Sequence, residues 1–401
     1  MRNEKIIGKK CDKEFGTVVF AALITLFIKL LLSYHVYGSN DITYWIVFSR
    51  IIEKFGTFKI YSMISIYNHP PLMSWILKSI TFLQHKTQLG FPYLFRLMPI
   101  VADFLSVIII WKLLVKYLVK DKVRICLMCV LNPVNFFISG YHGSTDPLFI
   151  FLILLAFDLI EENKIVLAGM VYGLSLCFKI VPVILIPVFF YFFRARKQKV
   201  TFFMSSSLLP LIVFIPYLIY DYHSVLKDVF YYNSLNGIWG IGHILHSIVG
   251  NGNNNIFFRK IFYGLFKIHI VSFKFIFFIL QIILIKFLTS QRKLNLMELG
   301  FLTFCLFLTI TPGFGIQYLS WLSFFAIVIS PLLGSIYVFL GGFFLYRVYI
   351  FWGGGQAPYY ANSIVVGQWG GGNAALDIVL WLLIVTMLLK FIINRKVLIN
   401  V

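Results

Sequence analysis

Apolar residues run through this chain in long blocks instead of alternating with polar ones. Blocks at 17–34, 97–119, 146–160, 165–193, 200–220, 271–289, 297–332, 334–351 and 374–394 reach or approach the length of a membrane-spanning helix. Dividing the longer blocks at their polar or Pro breaks predicts an all-α, polytopic membrane helix bundle of about twelve transmembrane helices. They fall at 17–34, 97–119, 125–140, 147–160, 165–178, 183–193, 200–220, 271–289, 297–311, 318–332, 335–351 and 374–394. After the first of them, Tyr44, Phe48, Ile51, Ile52 and Phe55 recur at helical spacing behind Asp41. That pattern predicts a helix lying in the membrane interface, capped by Ser39 or Asn40. No internal repeat and no soluble segment interrupts the series, so residues 1–401 read as a single integral membrane domain.

Composition agrees: 60% of the 401 residues are apolar and only 12% are charged, with a mean hydropathy of +0.88. Globular chains are nearer one half apolar, and lipid accommodates the excess. A net charge of +20 would suggest nucleic acid in a soluble protein. Here the cations cluster between apolar blocks, as in positive-inside anchoring beside anionic lipid, and no nucleic-acid partner is expected. Arg2, Lys5, Lys9, Lys10 and Lys13 place a cytoplasmic tail at 1–16, and the first helix reads as uncleaved. Clusters at 112–124, 161–164, 194–199, 292–293 and 395–396 fall on the same side. Long outer loops then lie at about 35–92 and 221–270, and a Gly/Trp-rich outer loop at 352–372. Arg259 and Lys260 are the exception, which a long loop tolerates. Cys126 and Cys129 form a C-x-x-C inside an apolar run, where buried inert thiols are expected.

The polar residues with chemical potential gather on the predicted outer side. Asp41 would sit in the first turn of the interfacial helix, where the helix dipole keeps a carboxylate ionised; it either merely favours that helix or serves as a reactive group. His69, in Tyr67-Asn68-His69-Pro70-Pro71, precedes a rigid extended break and either ends the loop or contacts sugar or phosphate. His142 and Asp146 flank a short outer turn; with Asp41 they are candidate ligands of a divalent metal, although hard cations usually need more oxygens. Lys179 interrupts an apolar hairpin near an outer turn, as a snorkelling lysine or as a functional cation. Asp103 is expected to be paired within the bundle. The 352–372 loop, with Trp352, Tyr359, Tyr360 and Trp369, either stacks on sugar or rests at the headgroup level.

Taken in order, these pieces resemble the GT-C class of glycosyltransferases, which use polyprenyl-phosphate sugars. The resemblance rests on Gly38-Ser39-Asn40-Asp41 with Tyr44, on residues 56–61, on Tyr67-Asn68-His69-Pro70-Pro71-Leu72 and on the run from Arg96 to Asp103. It continues in His142-Gly143-Ser144-Thr145-Asp146-Pro147, in Phe178-Lys179 through Pro182, and in Pro312 through Gln317-Tyr318 to Trp321. The chain looks closest to bacterial members and more distantly like protein O-mannosyltransferases. The resemblance implies that Asp41 is the general base and that Lys179 holds the lipid-linked phosphate. Many members carry a second acidic residue beside the first; Asn40 stands there, which argues against a metal-dependent variant.

The function expected is inverting transfer of a sugar from a polyprenyl-phosphate donor to a glycan, lipid-linked or protein acceptor. It would take place at the outer face of a membrane, such as the bacterial cytoplasmic membrane, without a cofactor. Asp41 would be catalytic, Lys179, Arg347 and His69 would bind the donor phosphate, and Tyr44, Asn68, His142, Asp146, Gln317 and Tyr318 would bind substrate. No nucleotide-binding motif is present. A lipid-linked sugar flippase and a polysaccharide polymerase are the alternatives. The first would need related halves around a charged cavity, and the second leans on outer arginines, of which this chain has few.

Overall fold

A computed structural model describes residues 2–231, 234–250, 256–362 and 373–393. Residues 363–372, with Trp369, and Arg395 and Lys396 lie outside the described residues. The helices are α1 Arg2–His35, α2 Asn40–Phe55, α3 Ile60–Met63, α4 Leu72–Thr87, α5 Phe91–Lys116, α6 Lys122–Val130 and α7 Pro133–Phe137. There follow α8 Asp146–Glu161, α9 Ile165–Phe178, α10 Ile186–Phe192, α11 Arg196–Val225, α12 Gly240–Gly250 and α13 Ile256–Gln291. Last come α14 Leu296–Ile310, α15 Leu319–Ile329, α16 Pro331–Trp352 and α17 Asn373–Ile393. The stretch read as a tail, 1–16, is therefore largely helical and continuous with α1.

Among the described residues, seven helices, not about twelve, are long and apolar enough to cross a membrane. They begin at Asp12, Phe91, Lys122, Arg196, Arg259, Pro331 and Ala375. Apolar helices do form at the other expected positions, but they are short. At a rise of 1.5 Å per residue, the 14 residues of α9 span about 21 Å, against a hydrocarbon core of about 30 Å. Their apolarity has another cause. Every residue of α15 is buried, as are twelve residues of α14 from Leu296 to Leu308, so the block at 297–332 is largely protein core. By contrast the large exposed apolar side chains run along the long helices, as Phe20, Ile24, Phe27 and Leu31 do on α1 and Phe275, Ile279 and Ile283 on α13. Those rows face lipid.

Polar groups within the bundle are paired. Asp103 forms a buried ion pair with Lys29 of α1 and accepts a hydrogen bond from Asn135 Nδ2 at 2.9 Å. Asn135 Oδ1 in turn accepts from Ser323 Oγ at 2.9 Å. The expected pairing of Asp103 is thus found, and it ties α1, α5, α7 and α15 together. Arg96, wholly buried on α5, donates to Ser33 O in the last turn of α1, to Val36 O just beyond it, and to Gly140 O and Tyr141 O. The last two belong to a π-helical turn, Ile138–His142, that follows α7. One guanidinium therefore supplies several otherwise unpaired carbonyls and fixes that turn against the exit of α1.

Candidate active site

Asp41 is placed by local sequence. Ser39, extended at φ −99° and ψ 175°, caps α2 and accepts the Asp41 N–H at 3.2 Å, leaving Asp41 in the first turn. Ser39 also donates to His142 O at 2.7 Å, which links the start of α2 to the π-helical turn. Ahead of it, Gly38 and Ser39 form β1, paired in parallel with β2, Tyr360–Ala361, from the loop after α16. Thr43 Oγ1 and the Tyr360 hydroxyl are 2.9 Å apart, so this loop packs on α2. Gly38 has φ +107°, and a Cβ there would stand 2.6 Å from Tyr141 O; only glycine fits.

The face that α2 buries is Ile42, Trp45, Phe48, Ser49 and Ile52. Tyr44 and Phe55, expected on one stripe with Phe48, are exposed. Trp45 is the anchor. Its Nε1 donates to Gly143 O at 3.0 Å, and its ring lies 4.3 Å from that of His69 and 4.8 Å from that of Phe95. The His69-Pro70-Pro71 break is tighter than expected, because Pro71 is already in the right-handed helical region at the cap of α4.

His142 closes the site from the opposite side. Its Nε2 lies 3.1 Å from Asp41 Oδ2, within ion-pair distance. The His142 side chain is buried, whereas a third of the Asp41 side chain is exposed. Burial pushes the Asp41 carboxyl up; His142 foremost, then Lys179, outweighs it and holds the group below its ordinary value. His69 is driven the other way, down to about 3, by burial and by Lys179 against the pull of Asp41. It is therefore neutral at physiological pH and can offer a hydrogen bond to phosphate, not a charge.

Lys179 follows α9 and reaches Asp146 Oδ1 at 2.5 Å. Asp146 is fully buried and also accepts from Ser144 Oγ at 2.7 Å. The Lys179 ammonium lies within 6.0 Å of the ring centres of Phe149, Tyr318 and Trp321. It is thus neither snorkelling nor isolated, but held in an aromatic recess with one carboxylate partner. Tyr318 belongs to the 3₁₀ turn Ile316–Tyr318, and its ring stacks on Trp321 at 4.0 Å. Gln317, half-buried, lies over Gly315. Asn68 is half-buried beside His69.

Asp41, His69, His142, Asp146, Lys179 and Tyr318 are thus one cluster. Arg347 is not joined to it: it is exposed on α16, and its described hydrogen bond is to Asn373 Oδ1. Among the described residues no three His, Cys, Asp or Glu side chains have metal-ligand spacing, and Asp146 is already engaged by Lys179 and Ser144. Cys126 and Cys129 are buried and free. Sequence reasoning passed over Tyr349 and Trp321 as site residues. The Tyr349 ring lies 5.8 Å from that of His142, and its hydroxyl is buried with no partner; Trp321 Nε1 is in the same condition. Asn40 Oδ1, Thr145 Oγ1 and His142 Nδ1 are likewise buried without a hydrogen-bond partner. Buried polar groups are rarely left so, and these gather around Asp41 and the Lys179–Asp146 pair, which suits a polar ligand. Periodicity offers no signal for Tyr349, which looks like one more aromatic in an apolar helix.

Residues 68–220 match the family model described as dolichyl-phosphate-mannose-protein mannosyltransferase. GPI mannosyltransferase 1 of Saccharomyces cerevisiae is 30% identical over 135 residues, which are 33% of this chain and 32% of that protein. The Candida albicans protein of the same name is 26% identical over 134 residues, 33% of this chain and 32% of its own. That of Dictyostelium discoideum is 25% identical over 198 residues, 42% of this chain and 43% of its own. The matched stretch thus spans about a third of the length of the first two relatives. No solved structure matches. The family match includes His69, His142, Asp146 and Lys179, whereas Asp41 lies before it. Through this segment the chain is similar to proteins described as dolichyl-phosphate-mannose-protein mannosyltransferases and as GPI mannosyltransferase 1.

Proposed function

We propose that the protein transfers mannose from a polyprenyl-phosphate donor to the hydroxyl of a glycan, lipid-linked or protein acceptor, with inversion, on the extracytoplasmic side of the membrane. The observation that carries this reading is the Asp41 carboxylate, ionised and partly exposed, ringed by buried polar atoms that lack protein partners. A sugar supplies the many hydroxyls that such atoms require.

In this reading the acceptor oxygen attacks the anomeric carbon from the side opposite the phosphate. Asp41 Oδ takes the hydroxyl proton as the new bond forms, because an alcohol is too weak an acid to ionise first. The glycosidic bond to phosphate breaks, and its electron pair leaves on the phosphate oxygen. Lys179, an ammonium with three donors of which one is given to Asp146, offers the remainder to that oxygen, and neutral His69 adds a hydrogen bond. His142 holds Asp41 ionised. The aromatic recess of Phe149, Tyr318 and Trp321 keeps water from the lysine, so its charge acts at low dielectric.

The test is the purified protein in lipid nanodiscs with radiolabelled polyprenyl-phosphate mannose and a panel of acceptors. Label is expected to pass to an acceptor with release of polyprenyl phosphate. Movement of intact labelled lipid across proteoliposomes, with no product formed, would favour a flippase instead.

A further inference from the structure

A groove of about 590 Å³ lies between the end of α10 and the start of α11, lined by Phe190, Arg194, Arg196, Lys199, Phe203 and Met204. It is remote from Asp41. Gly169 of α9 faces Phe202 and Ser205 of α11, and four residues on Gly173 faces Ser206 and Pro210. The two helices therefore run side by side in the same direction. The start of α11 lies with the start of α9, at the opposite end from Lys179.

The cations of this groove have no acidic partners among the described residues. The acids near that end are already taken: Asp158 and Glu162 by Lys116, Glu162 also by Lys164, and Glu161 by the Tyr117 hydroxyl. Lys199 lies over the Phe190 ring at 4.3 Å, which draws its ammonium to the rim of the apolar wall. Ala195 caps α11 without a side-chain acceptor, so the first-turn N–H groups add to the positive field. Phe190 is half exposed and Met204 is 69% exposed, so the wall opens toward lipid.

We propose that this groove binds the phosphate of an anionic membrane lipid, with Arg194, Arg196 and Lys199 on the headgroup and an acyl chain along Phe190, Phe203 and Met204. Charge complementarity selects an anion, and the continuous apolar wall selects one that carries a hydrocarbon chain. A soluble phosphate would leave that wall uncovered.

Native mass spectrometry of the intact chain tests this, with phosphatidylglycerol compared with phosphatidylcholine of identical acyl chains. Retention of phosphatidylglycerol in preference is expected. Arg194→Gln is expected to weaken that retention about fivefold, since each cation near an anionic lipid contributes a factor of that order. The triple variant Arg194→Gln, Arg196→Gln, Lys199→Gln is expected to lose the preference, and Lys86→Gln, on α4, to keep it. Equal retention of the two lipids, or a preference that survives the triple variant, would overturn the assignment. Displacement of phosphatidylglycerol by inorganic phosphate at the same concentration would show that the anion suffices and would equally refute a lipid site.

Discussion

The Nε2 of His142 stands 3.1 Å from Oδ2 of Asp41, so the end of a π-helical turn bears on the first turn of α2. Its consequence is electrostatic: His142 leads the interactions that hold the Asp41 carboxyl below its ordinary value, against the upward push of burial. A general base works when deprotonated, and a lowered pKa keeps it so further into acid. His142→Gln removes that support, so the pKa of Asp41 rises and activity is lost at a higher pH. The acid limb of kcat/KM against pH is therefore expected to move upward in His142→Gln, with little change above neutrality. An unmoved limb would show that His142 does not tune Asp41.

The Lys179–Asp146 pair separates structure from chemistry. Asp146 is fully buried, so Lys179→Ala strands its charge and is expected to destabilise the fold by about 3–5 kcal/mol. The double variant Lys179→Met, Asp146→Leu removes both charges and is expected to recover most of that stability in thermal unfolding, while donor use stays lost. Wild-type turnover by the double variant would reduce the lysine to a structural role.

Gly38 is a tight backbone contact of the site. With φ +107° and Tyr141 O 2.6 Å from where a Cβ would lie, Gly38→Ala strains β1 and pushes on the turn that carries His142. A stability loss of about 1–3 kcal/mol is expected. Transfer is expected to fall further than stability does, because Asp41 and His142 both move. Equal unfolding temperatures and equal rates for variant and parent would contradict this.

Much of this site was legible because its signals are local. Short polar residues before an aspartate and an apolar period of 3.6 narrow the cap to Ser39 or Asn40 and put Asp41 in the first turn of α2; the structure gives the cap to Ser39. An ionisable residue in an apolar run was enough to single out Lys179 and to expect a partner for Asp103. The partners themselves, Asp146 and Lys29, were beyond reach, since they come from other helices and only packing decides them. The helix count failed for a related reason. Hydropathy cannot tell a helix buried in protein from one in lipid, and α15 is apolar all round because protein surrounds it. Tyr349 and Trp321 were passed over because an aromatic with a polar tip looks like core until its hydroxyl or N–H is found unpaired.

The sidedness inferred from the charges is open to labelling. Ser65 is exposed in the first loop, on the side of Asp41, and Lys197 is exposed at the start of α11, the opposite end. A single cysteine at Ser65 is expected to react with an impermeant thiol reagent in intact cells, and one at Lys197 only after the membrane is opened. Labelling of the Lys197 cysteine in intact cells would invert the orientation.

The most direct test of the mechanism is the turnover of Asp41→Asn with polyprenyl-phosphate mannose and its acceptor. Asparagine keeps the shape of the side chain and much of its hydrogen bonding, but it cannot take the proton of an attacking hydroxyl. Expression, helix content and donor-lipid binding are expected to stay near those of the parent. Turnover is expected to fall by about 10²–10⁴-fold. A turnover within a few-fold of the parent's would contradict the assignment of Asp41 as the base.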